Sequence, residues 1–331
     1  MNSSNLSFEI YRYYNLTRYL FLALEQEYSN IVEPFGITLP QLRILWCLYA
    51  FPNINSTKIA SAGNWSLPTV SKILKKLEEK KFVFQIETEN KKTKIYSLTD
   101  LGLLKIEECR QRQNTSLSLF KLFDSYSEDD LKFMISILKY PLTDISPLTI
   151  NYIEKVAHLD LKLEKSSFKT KDHEKLRLLV YFFNYLRILV LNIENSHSLK
   201  TSTFGITYPQ LRSLKILLAF PGKNSLEMSN LGRWSASTAN LIVKNLYSKD
   251  LIYKEKGISK NTLHLFATNE AESLVKNDFF ENESNLEIIK KLRELPLTEI
   301  SRSNDLLLSM NILLENTFVS EYIDKTYGLF I

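Results

Sequence analysis

Apolar residues recur at helical spacing along most of the chain, and the segment 67–80 shows this clearly. Its apolar residues fall at i, i+3, i+4 and i+7, the spacing of one buried helix face. They are Val70, Ile73, Leu74 and Leu77. The opposite face is polar and basic, with Thr69, Lys72, Lys75 and Lys76. Two β-prone runs follow, 82–87 and 93–98, and the polar tip between them predicts a β-hairpin.

Capping residues and prolines predict where the other helices begin and end. A helix rich in Tyr and Leu is expected over about 8–33, and Pro34 stops it. The expected helix starts are Thr38 ahead of Pro40, Asn55 or Ser56, Ser66, Thr99 with Asp100, and Ser127. The predicted order is therefore helix, helix, short helix, helix, β-hairpin, helix, helix.

The same pattern occurs twice in the chain. Residues 35–43 read FGITLPQLR and residues 204–212 read FGITYPQLR, an offset of 169 residues. This register holds without a gap from about residue 15 to residue 99. It matches Asn15 and Arg18 with Asn184 and Arg187, the run 50–52 with 219–221, and Gly63, Trp65 and Ser66 with Gly232, Trp234 and Ser235. Two merely similar amphipathic segments would not keep Trp and Pro in place, so the sequence predicts a duplicated domain.

A second echo predicts the ends of the two copies. PLTDIS at 141–146 and PLTEIS at 296–301 lie 155 residues apart, which predicts that about 14 residues are missing from the later part of the second copy. We expect a first repeat over 1–146, a partly helical linker over 147–172 and a second repeat over 173–331.

Bulk composition is that of a soluble globular protein. The chain has 331 residues, of which 44% are hydrophobic and 24% charged. The longest apolar stretch, 176–193, contains Arg177 and Arg187, so we expect a buried helix rather than a membrane span. The sequence shows no signal peptide, and its two cysteines have no metal-ligand spacing. These features predict a reducing, cytoplasmic location.

The segment 57–102 resembles the MarR family of bacterial transcription regulators. It reads TKIASAGNWSLPTVSKILKKLEEKKFVFQIETENKKTKIYSLTDLG, which combines a short helix, a second helix, a charged hairpin and the exit S-L-T-x-x-G. The resemblance covers most of the first copy and extends to the second through the duplication. It implies a mainly α fold with small β-hairpin wings. Two winged helix-turn-helix domains would then be joined by long helices in a pseudo-two-fold arrangement, as in two-repeat Sar-type regulators.

What the resemblance implies for function is double-stranded DNA binding, with the second helix of each unit reading the major groove. The family commonly has Arg or Lys at the positions of Lys72 and Lys76. Its wing tip usually reads Asp-Arg-Arg, whereas 90–92 read Asn-Lys-Lys, and lysine lacks the flat guanidinium fork. Where the family often has Gly at the helix end, the copies have Lys81 and Asp250, and a left-handed turn there would strain the lysine.

Positive charge is concentrated in the two winged segments. Residues 55–98 carry nine Lys and four Glu, and residues 224–267 carry six basic and three acidic residues. Their net charges of +5 and +3 together give +8, which exceeds the +5 of the whole chain. The remaining residues therefore carry a net negative charge, and the positive charge lies where a DNA-binding surface needs it. We expect contacts with DNA from Ser66, Thr69, Ser71, Lys72, Lys75, Lys76, Lys91, Lys92, Lys94, Ser235, Ser237, Thr238, Asn240, Lys244, Asn245 and Lys260. The alternative is that these lysines form an ordinary solvated face.

The two copies differ at the predicted reading helix. Lys72 and Lys76 correspond to Leu241 and Asn245, so the second copy has lost two cations. We therefore expect asymmetric binding in which the first copy dominates. A competing hypothesis is a winged-helix protein-interaction module with reduced or lost DNA binding.

The remaining candidate groups point to no enzyme, metal site or cofactor. The four histidines, His158, His173, His197 and His264, are scattered, and no phosphate loop or nucleophile elbow occurs. Cys47 and Cys109 are either buried hydrophobes or, less simply, redox sensors. The aromatic residues of the two long helices are either core or the lining of a pocket for an unnamed effector. They are Tyr11, Tyr13, Tyr14, Tyr19, Phe21, Tyr181, Phe182, Phe183 and Tyr185. Trp65 and Trp234 either anchor the helix that follows or contact phosphate. A homodimer is not required when both units come from one chain.

Overall fold

A computed structural model describes residues 3–86, 94–116, 119–142, 146–163, 170–256, 263–281 and 286–329. In the first part of the chain the helices and strands are α1 (Ser3–Val32), α2 (Leu39–Ala50), β1 (Ile54–Asn55), α3 (Ser56–Gly63), α4 (Leu67–Glu79), β2 (Val83–Ile86), β3 (Ile95–Leu98), α5 (Asp100–Ser116), α6 (Leu119–Ser125), α7 (Glu128–Lys139) and α8 (Pro147–Leu163). In the second part they are α9 (Thr170–Thr201), α10 (Tyr208–Ala219), α11 (Ser225–Gly232), α12 (Ala236–Tyr247), β4 (Ile252–Lys256), β5 (Leu263–Ala267), α13 (Asn269–Glu281), α14 (Glu287–Leu292), α15 (Leu297–Leu313) and α16 (Val319–Gly328). The protein is therefore mainly helical with small antiparallel sheets.

The helix starts follow from side-chain caps. Thr38 and Gln41 form a capping box at the start of α2, and each side chain bonds the other residue's backbone N–H. Asn55, rather than Ser56, caps α3 through the backbone N–H of Lys58 at 2.9 Å. Ser66 caps α4 and Ser127 caps α7. The starts predicted at Thr38, Asn55, Ser66 and Ser127 are confirmed.

The described chain divides into two compact units. We call Leu24–Ile188 the first unit, and Met1–Ala23 together with Leu189–Ile331 the second unit. Both long helices, α1 and α9, contribute residues to each unit. These units follow spatial contacts, whereas the boundaries expected at 146 and 173 follow the repeat, so the two divisions of the chain differ. The segment expected as a linker contains α8, which belongs to the first unit.

In the first unit the core lies around α2, which packs against α3, α4, α5 and α8. The buried cluster includes Leu42, Leu45, Ile59, Leu74 and Leu77. The sheet has three antiparallel strands in the order β1-β3-β2, with Val83 opposite Leu98 and Ile54 opposite Tyr96. The predicted hairpin is confirmed as β2 and β3. The two-residue strand β1 is an addition that alternation over four or more residues could not predict.

In the second unit α10 occupies the central place and packs against α11, α12, α13 and α16. The strands β4 and β5 pair in antiparallel fashion, with Ile252 opposite Ala267. The first residues of α1 join the last helices of the chain in this unit. The hydroxyl of Tyr11 donates to that of Thr326 at 2.8 Å, and the Asn311 amide donates to the Leu16 carbonyl at 2.9 Å.

The late echo does not mark equivalent elements, so the expected loss of about 14 residues is wrong. Residues 296–301 cap and open α15, whereas 141–142 follow the end of α7. Instead, YIEK at 152–155 in α8 corresponds to YIDK at 322–325 in α16, an offset of 170. Lys155 Nζ lies 4.3 Å from the centre of the Phe51 ring, and Lys325 Nζ lies 4.7 Å from that of Phe220. The register of the first part of the repeat therefore returns within one residue.

Among the described residues, the helix over Glu174–Phe204 is the one long and apolar enough to cross a membrane by length and composition. This is weak evidence, because core helices of soluble proteins pass the same test. Just over half of its most apolar window, 56%, is buried inside the protein. Arg187 lies in this helix with 1% of its surface exposed, and its guanidinium bonds a backbone carbonyl. These contacts favour the predicted buried core helix.

Candidate nucleic-acid interface

Helix α4 separates an apolar face from a basic one. Val70, Leu74 and Leu77 are fully buried in the core of the first unit. Residues on the other face are exposed: Thr69, Ser71, Lys72, Lys75 and Lys76. This division is the one predicted from the i, i+3, i+4, i+7 spacing. Three ammonium groups therefore project from one side of the helix into solvent.

The turn before α4 is fixed by a glycine, a tryptophan and a buried arginine. A Cβ atom on Gly63 would overlap the ring of Trp65, so only glycine lets the ring lie on this backbone. The guanidinium of Arg187 donates twice to the Gly63 carbonyl, at 3.1 and 3.2 Å, and lies 5.5 Å from the centre of the Trp65 ring. This geometry favours the anchoring role for Trp65, because the ring is held against the turn.

Burial lowers the pKa of Arg187 to about 10, and the positive charge of Arg43 acts in the same direction. Arg187 nevertheless remains a cation at neutral pH, so its donors stay directed at Gly63. The repeat matches Arg187 with Arg18, and the apolar stretch around Arg187 predicts only that its helix is buried. An arginine inside an apolar stretch was the signal that it has a specific buried acceptor.

Helix α12 begins at a serine cap and buries one apolar face, as α4 does, but its exposed side chains differ. Ser235 caps it through the backbone N–H of Thr238 at 3.2 Å. Its buried residues are Ala239, Ile242, Val243 and Leu246, and its exposed residues are Ala236, Ser237, Thr238, Asn240, Leu241, Lys244 and Tyr247. Asn245 is half-buried. The exposed side of α12 therefore presents one ammonium group where α4 presents three.

The turn before α12 uses another arginine. A Cβ on Gly232 would overlap Trp234, as at the first turn. Here Arg212 of α10 donates to the Gly232 carbonyl at 2.9 Å and lies 4.8 Å from the centre of the Trp234 ring. Arg212 also bonds Glu194 at 3.4 Å, and Glu194 accepts from Arg18 at 3.2 Å. Each turn is thus held by a buried guanidinium, although the arginine comes from a different helix.

The wings are described at their bases. Lys94 is exposed at the start of the second hairpin strand, while Lys91, Lys92 and Lys260 lie outside the described residues. Lys81 and Asp250, at the ends of the two helices, have φ angles of 59° and 56°. The left-handed turn expected at these positions is confirmed. Lys81 adopts it without the advantage of glycine.

Two of the expected DNA contacts also have a structural role. The hydroxyls of Ser66 and Ser235 accept backbone N–H groups at the starts of α4 and α12. Each hydroxyl is also within hydrogen-bond distance of the threonine hydroxyl three residues later. A serine at a cap still keeps its exposed edge, so capping and phosphate contact are compatible.

Both cysteines are buried thiols. Burial raises the pKa of Cys47 to about 12 and that of Cys109 to about 11. The thiolate is the reactive form of cysteine, so both side chains are held in their unreactive form at neutral pH. This favours the buried-hydrophobe alternative over redox sensing.

The aromatic residues of the long helices are mostly core. Eight of the nine named from sequence are buried, and Tyr181 is partly exposed. A cavity in the first unit leaves about 80 Å³ of space for water-sized molecules and is lined in part by Tyr28, Arg43, Trp46 and Phe183. Ligand pockets for small molecules usually measure roughly 300–1,000 Å³. The cavity is therefore too small for an ordinary effector in this conformation.

Comparison with known proteins agrees with the geometry of the first unit. Residues 37–93 match the model of the MarR family, and this range runs from just before α2 to the first wing. This segment of the chain is therefore similar to the MarR family. The matched range includes α3 and α4 of the first unit.

Several transcriptional regulators are similar to this chain. The HTH-type transcriptional regulator Hpr of Geobacillus thermodenitrificans (strain NG80-2) is 26% identical over 173 residues, which are 48% of this chain and 86% of Hpr. The uncharacterized HTH-type transcriptional regulator YwoH of Bacillus subtilis (strain 168) is 35% identical over 77 residues, which are 23% of this chain and 56% of YwoH. Among solved structures, MepR, a transcription regulator of the Staphylococcus aureus multidrug efflux pump MepA, is 26% identical with a TM-score of 0.29. That similarity covers 37% of this chain and 90% of MepR.

Proposed function

We propose that this protein is a bacterial, cytoplasmic transcription regulator that binds duplex DNA as a single-chain pseudo-dimer. Each winged unit would place its recognition helix, α4 or α12, in the major groove and its wing near the minor groove. The observation that carries the proposal is the exposed face of α4, where Lys72, Lys75 and Lys76 lie together within a MarR-family segment. The proposal takes the duplicated sequence as the origin of the second unit.

Electrostatics supports a nucleic-acid partner over a neutral one. Duplex DNA carries a dense row of phosphates, and lysines that neutralise them release counterions, which drives association. The exposed lysines of α4 lie on one helix face, while the residues outside the two winged segments sum to a negative charge. The two segments that the proposal assigns to DNA therefore carry the net positive charge of the chain.

The proposal includes asymmetry between the two units. At equivalent positions α4 has Lys72 and Lys76, while α12 has Leu241 and Asn245. Phosphate contacts supply most of the affinity of such proteins, and base contacts supply the specificity. The first unit should therefore contribute more of the affinity than the second.

A protein-interaction module is the second candidate. The observation that favours it is a pair of exposed leucines in the second unit. Leu226 of α11 has 64% of its surface exposed, and Leu241 of α12 has 59%. Under this alternative the protein would ignore duplex DNA, and these leucines would meet a protein partner.

Duplex binding measured against salt concentration tests the proposed function. We expect the logarithm of the binding constant to fall linearly with the logarithm of salt concentration for the whole protein on a labelled duplex. Replacing Lys72 and Lys76 with alanine should weaken binding about tenfold or more and should reduce the salt slope by about 2. Replacing Lys244 and Asn245 with alanine should weaken it less.

The matched control removes two exposed lysines elsewhere. Lys132→Ala with Lys290→Ala lowers the net charge by the same two units as the Lys72 and Lys76 variant. Both residues lie outside the winged segments. This control should leave the salt slope close to that of the unmodified protein. Salt-independent binding, or none, would contradict the proposed function, and equal losses in the two recognition-helix variants would contradict the asymmetry.

A further inference from the structure

The exposed face of α12 has a leucine at its centre. Leu241 follows Ser237 and Thr238 by four and three residues and precedes Lys244 and Asn245 by three and four, the spacing of neighbours on one helix face. Its side chain points into solvent with 59% of the residue exposed. Whatever contacts this face of the helix will meet Leu241 in the middle.

The equivalent position in the first copy is Lys72, also at the centre of its exposed face. Thr57, at the start of α3, likewise corresponds to Leu226 of α11. The hydroxyl of Ser225 donates to the side chain of Asn240, and the two leucines are the next residues along their helices. Two polar positions of the first copy have therefore become apolar at the α11–α12 contact.

Two exposed tyrosines, one at the end of α12 and one in β4, are engaged by neighbours in the same unit. The Tyr247 ring lies 4.2 Å from Lys254 Nζ, and the Tyr253 ring stacks on Phe266 at 5.3 Å between centres. On its own helix Leu241 has hydroxyl, amide and ammonium groups at the i±3 and i±4 positions, while the exposed Leu226 lies at the same α11–α12 contact. Leu241 also holds the position on α12 that Lys72 holds on the basic face of α4, and its neighbours on α12 are polar. A leucine at that position suits a partner that offers methyl groups among hydrogen-bond acceptors, as a major groove does.

The chemistry of base edges distinguishes the two helices. Lysine donates to the O6 and N7 acceptors of guanine, whereas an apolar side chain contacts the C5 methyl group of thymine. We propose that Leu241 is a specificity-determining residue that reads a thymine methyl group in the second half-site, while Lys72 reads guanine in the first. The operator is then non-palindromic, with a thymine in one half where the other half has a guanine. This inference rests on the proposed function of duplex binding.

Selection of bound sites from random duplexes by the whole protein tests the inference. The expected result is a thymine at one position of the second half-site. Replacing that thymine with uracil removes only the methyl group, which should weaken binding about fourfold, the value of one buried methylene-sized group. Leu241→Ala should bind thymine and uracil duplexes equally. Leu241→Lys should shift the selected base at this position toward guanine.

Leu199→Ala is the matched control, because it also removes an exposed leucine of the second unit but lies on α9, outside the helix-turn-helix. It should keep the selected sequence and the uracil effect. Because Leu241 and Leu199 are both exposed, neither alanine variant should change the thermal unfolding midpoint appreciably.

Two failures remain distinguishable. If the unmodified protein selects no sequence and binds no duplex, the proposed function fails and this inference fails with it. If it selects a sequence that Leu241→Ala leaves unchanged, and uracil binds as well as thymine, then only the role of Leu241 is overturned. The leucine would then belong to a protein contact.

Discussion

Gly63 and Trp65 keep the same relation as Gly232 and Trp234, because in both pairs the ring occupies the place of a Cβ atom. The repeat made these matches visible in sequence, yet the reason for the glycine appeared only with the position of the ring. The arginine that bonds the glycine carbonyl could not be predicted either. Its donors reach Gly63 from a residue 124 positions later in the chain.

His197 shows how burial changes an ionisable group in the second unit. The side chain is buried and stacks on the Tyr208 ring at 4.7 Å between centres. Burial lowers its pKa well below the ordinary value, and the positive charges of Lys215, Arg18 and Lys200 act in the same direction. In the sequence His197 is one of four scattered histidines, and nothing around it indicates this burial. In the structure its imidazole is neutral and lies in the core of the second unit.

The depressed pKa of His197 predicts a loss of stability in acid. The unfolded chain takes up a proton at this histidine below about pH 6.5, whereas the folded unit does not. The free energy of unfolding should therefore fall by about 1.4 kcal/mol per pH unit from this group as the pH drops below that value. His197→Phe keeps an aromatic ring stacked on Tyr208 and removes the titratable imidazole. Chemical unfolding at several pH values should show the difference between the two proteins changing with pH.

His158→Phe provides the control, since it removes an exposed histidine of α8. The difference between the unmodified protein and His197→Phe isolates one group from the carboxylates that also titrate in acid. A difference that stays constant between pH 7 and pH 5 would show that His197 is protonated in the folded unit.

Helix starts were the most predictable elements of this fold. A cap needs only one side chain and a backbone N–H two or three residues away, so Thr38, Ser66 and Ser127 could be read locally. Strand β1 needed a partner, since its two residues pair with Tyr96 and Ile95 across 40 or more positions. The local sequence carries no sign of that pairing.

Ser66 offers a way to separate the stability of α4 from its surface. Ser66→Ala should lower the free energy of unfolding by about 1 kcal/mol, because the N–H of Thr69 loses its acceptor. Ser66→Asp keeps a good cap and should leave stability nearly unchanged. Its negative charge should nevertheless weaken duplex binding, since Ser66 is exposed at the start of the helix that carries Lys72, Lys75 and Lys76. Thermal unfolding and binding to a labelled duplex measure the two effects.

The equivalent changes at Ser235 form the comparison in α12. Ser235→Asp should weaken duplex binding less than Ser66→Asp, because α12 presents fewer cations. Equal stability of Ser66→Asp and the unmodified protein with equal duplex binding would place the start of α4 away from DNA.

At the scale of the whole chain, the sequence repeat and the compact units do not coincide. The repeat predicts that residues 1–146 stay together, but the first unit takes in residues up to Ile188 and leaves out Met1–Ala23. Hydrophobic periodicity indicates that a face of α1 is buried without indicating which helices cover it. Because α1 is apolar along its length, its sequence does not show that it contributes residues to both units.

This division predicts which fragments fold. The fragment 24–188 contains every residue of the first unit in one continuous segment and should unfold cooperatively. The fragment 1–163 lacks Phe182, Phe183 and Leu186 from the buried core and should be far less stable. Removing residues 1–23 from the whole chain should destabilise the second unit and spare the first. Circular dichroism during heating, and the spectral dispersion of amide resonances, would measure folding in each case.

Full-length protein is the reference for both fragments. Cooperative unfolding of 1–163 together with a disordered 24–188 would show that the repeat, and not the spatial division, marks the folding units. Unchanged unfolding after loss of residues 1–23 would show that their contacts with Asn311 and Thr326 contribute little.

The contact between Tyr11 and Thr326 joins residues separated by 315 positions. A ribosome adds roughly 5–20 residues per second, so about 15–60 seconds pass between the synthesis of these two ends. During that interval the beginning of α1 has been made while its final partners have not. The first unit, complete at Ile188, can fold while the remainder is still being translated. A ribosome that stops between Ile188 and Thr326 therefore releases a chain that has every residue of the first unit but not every residue of the second.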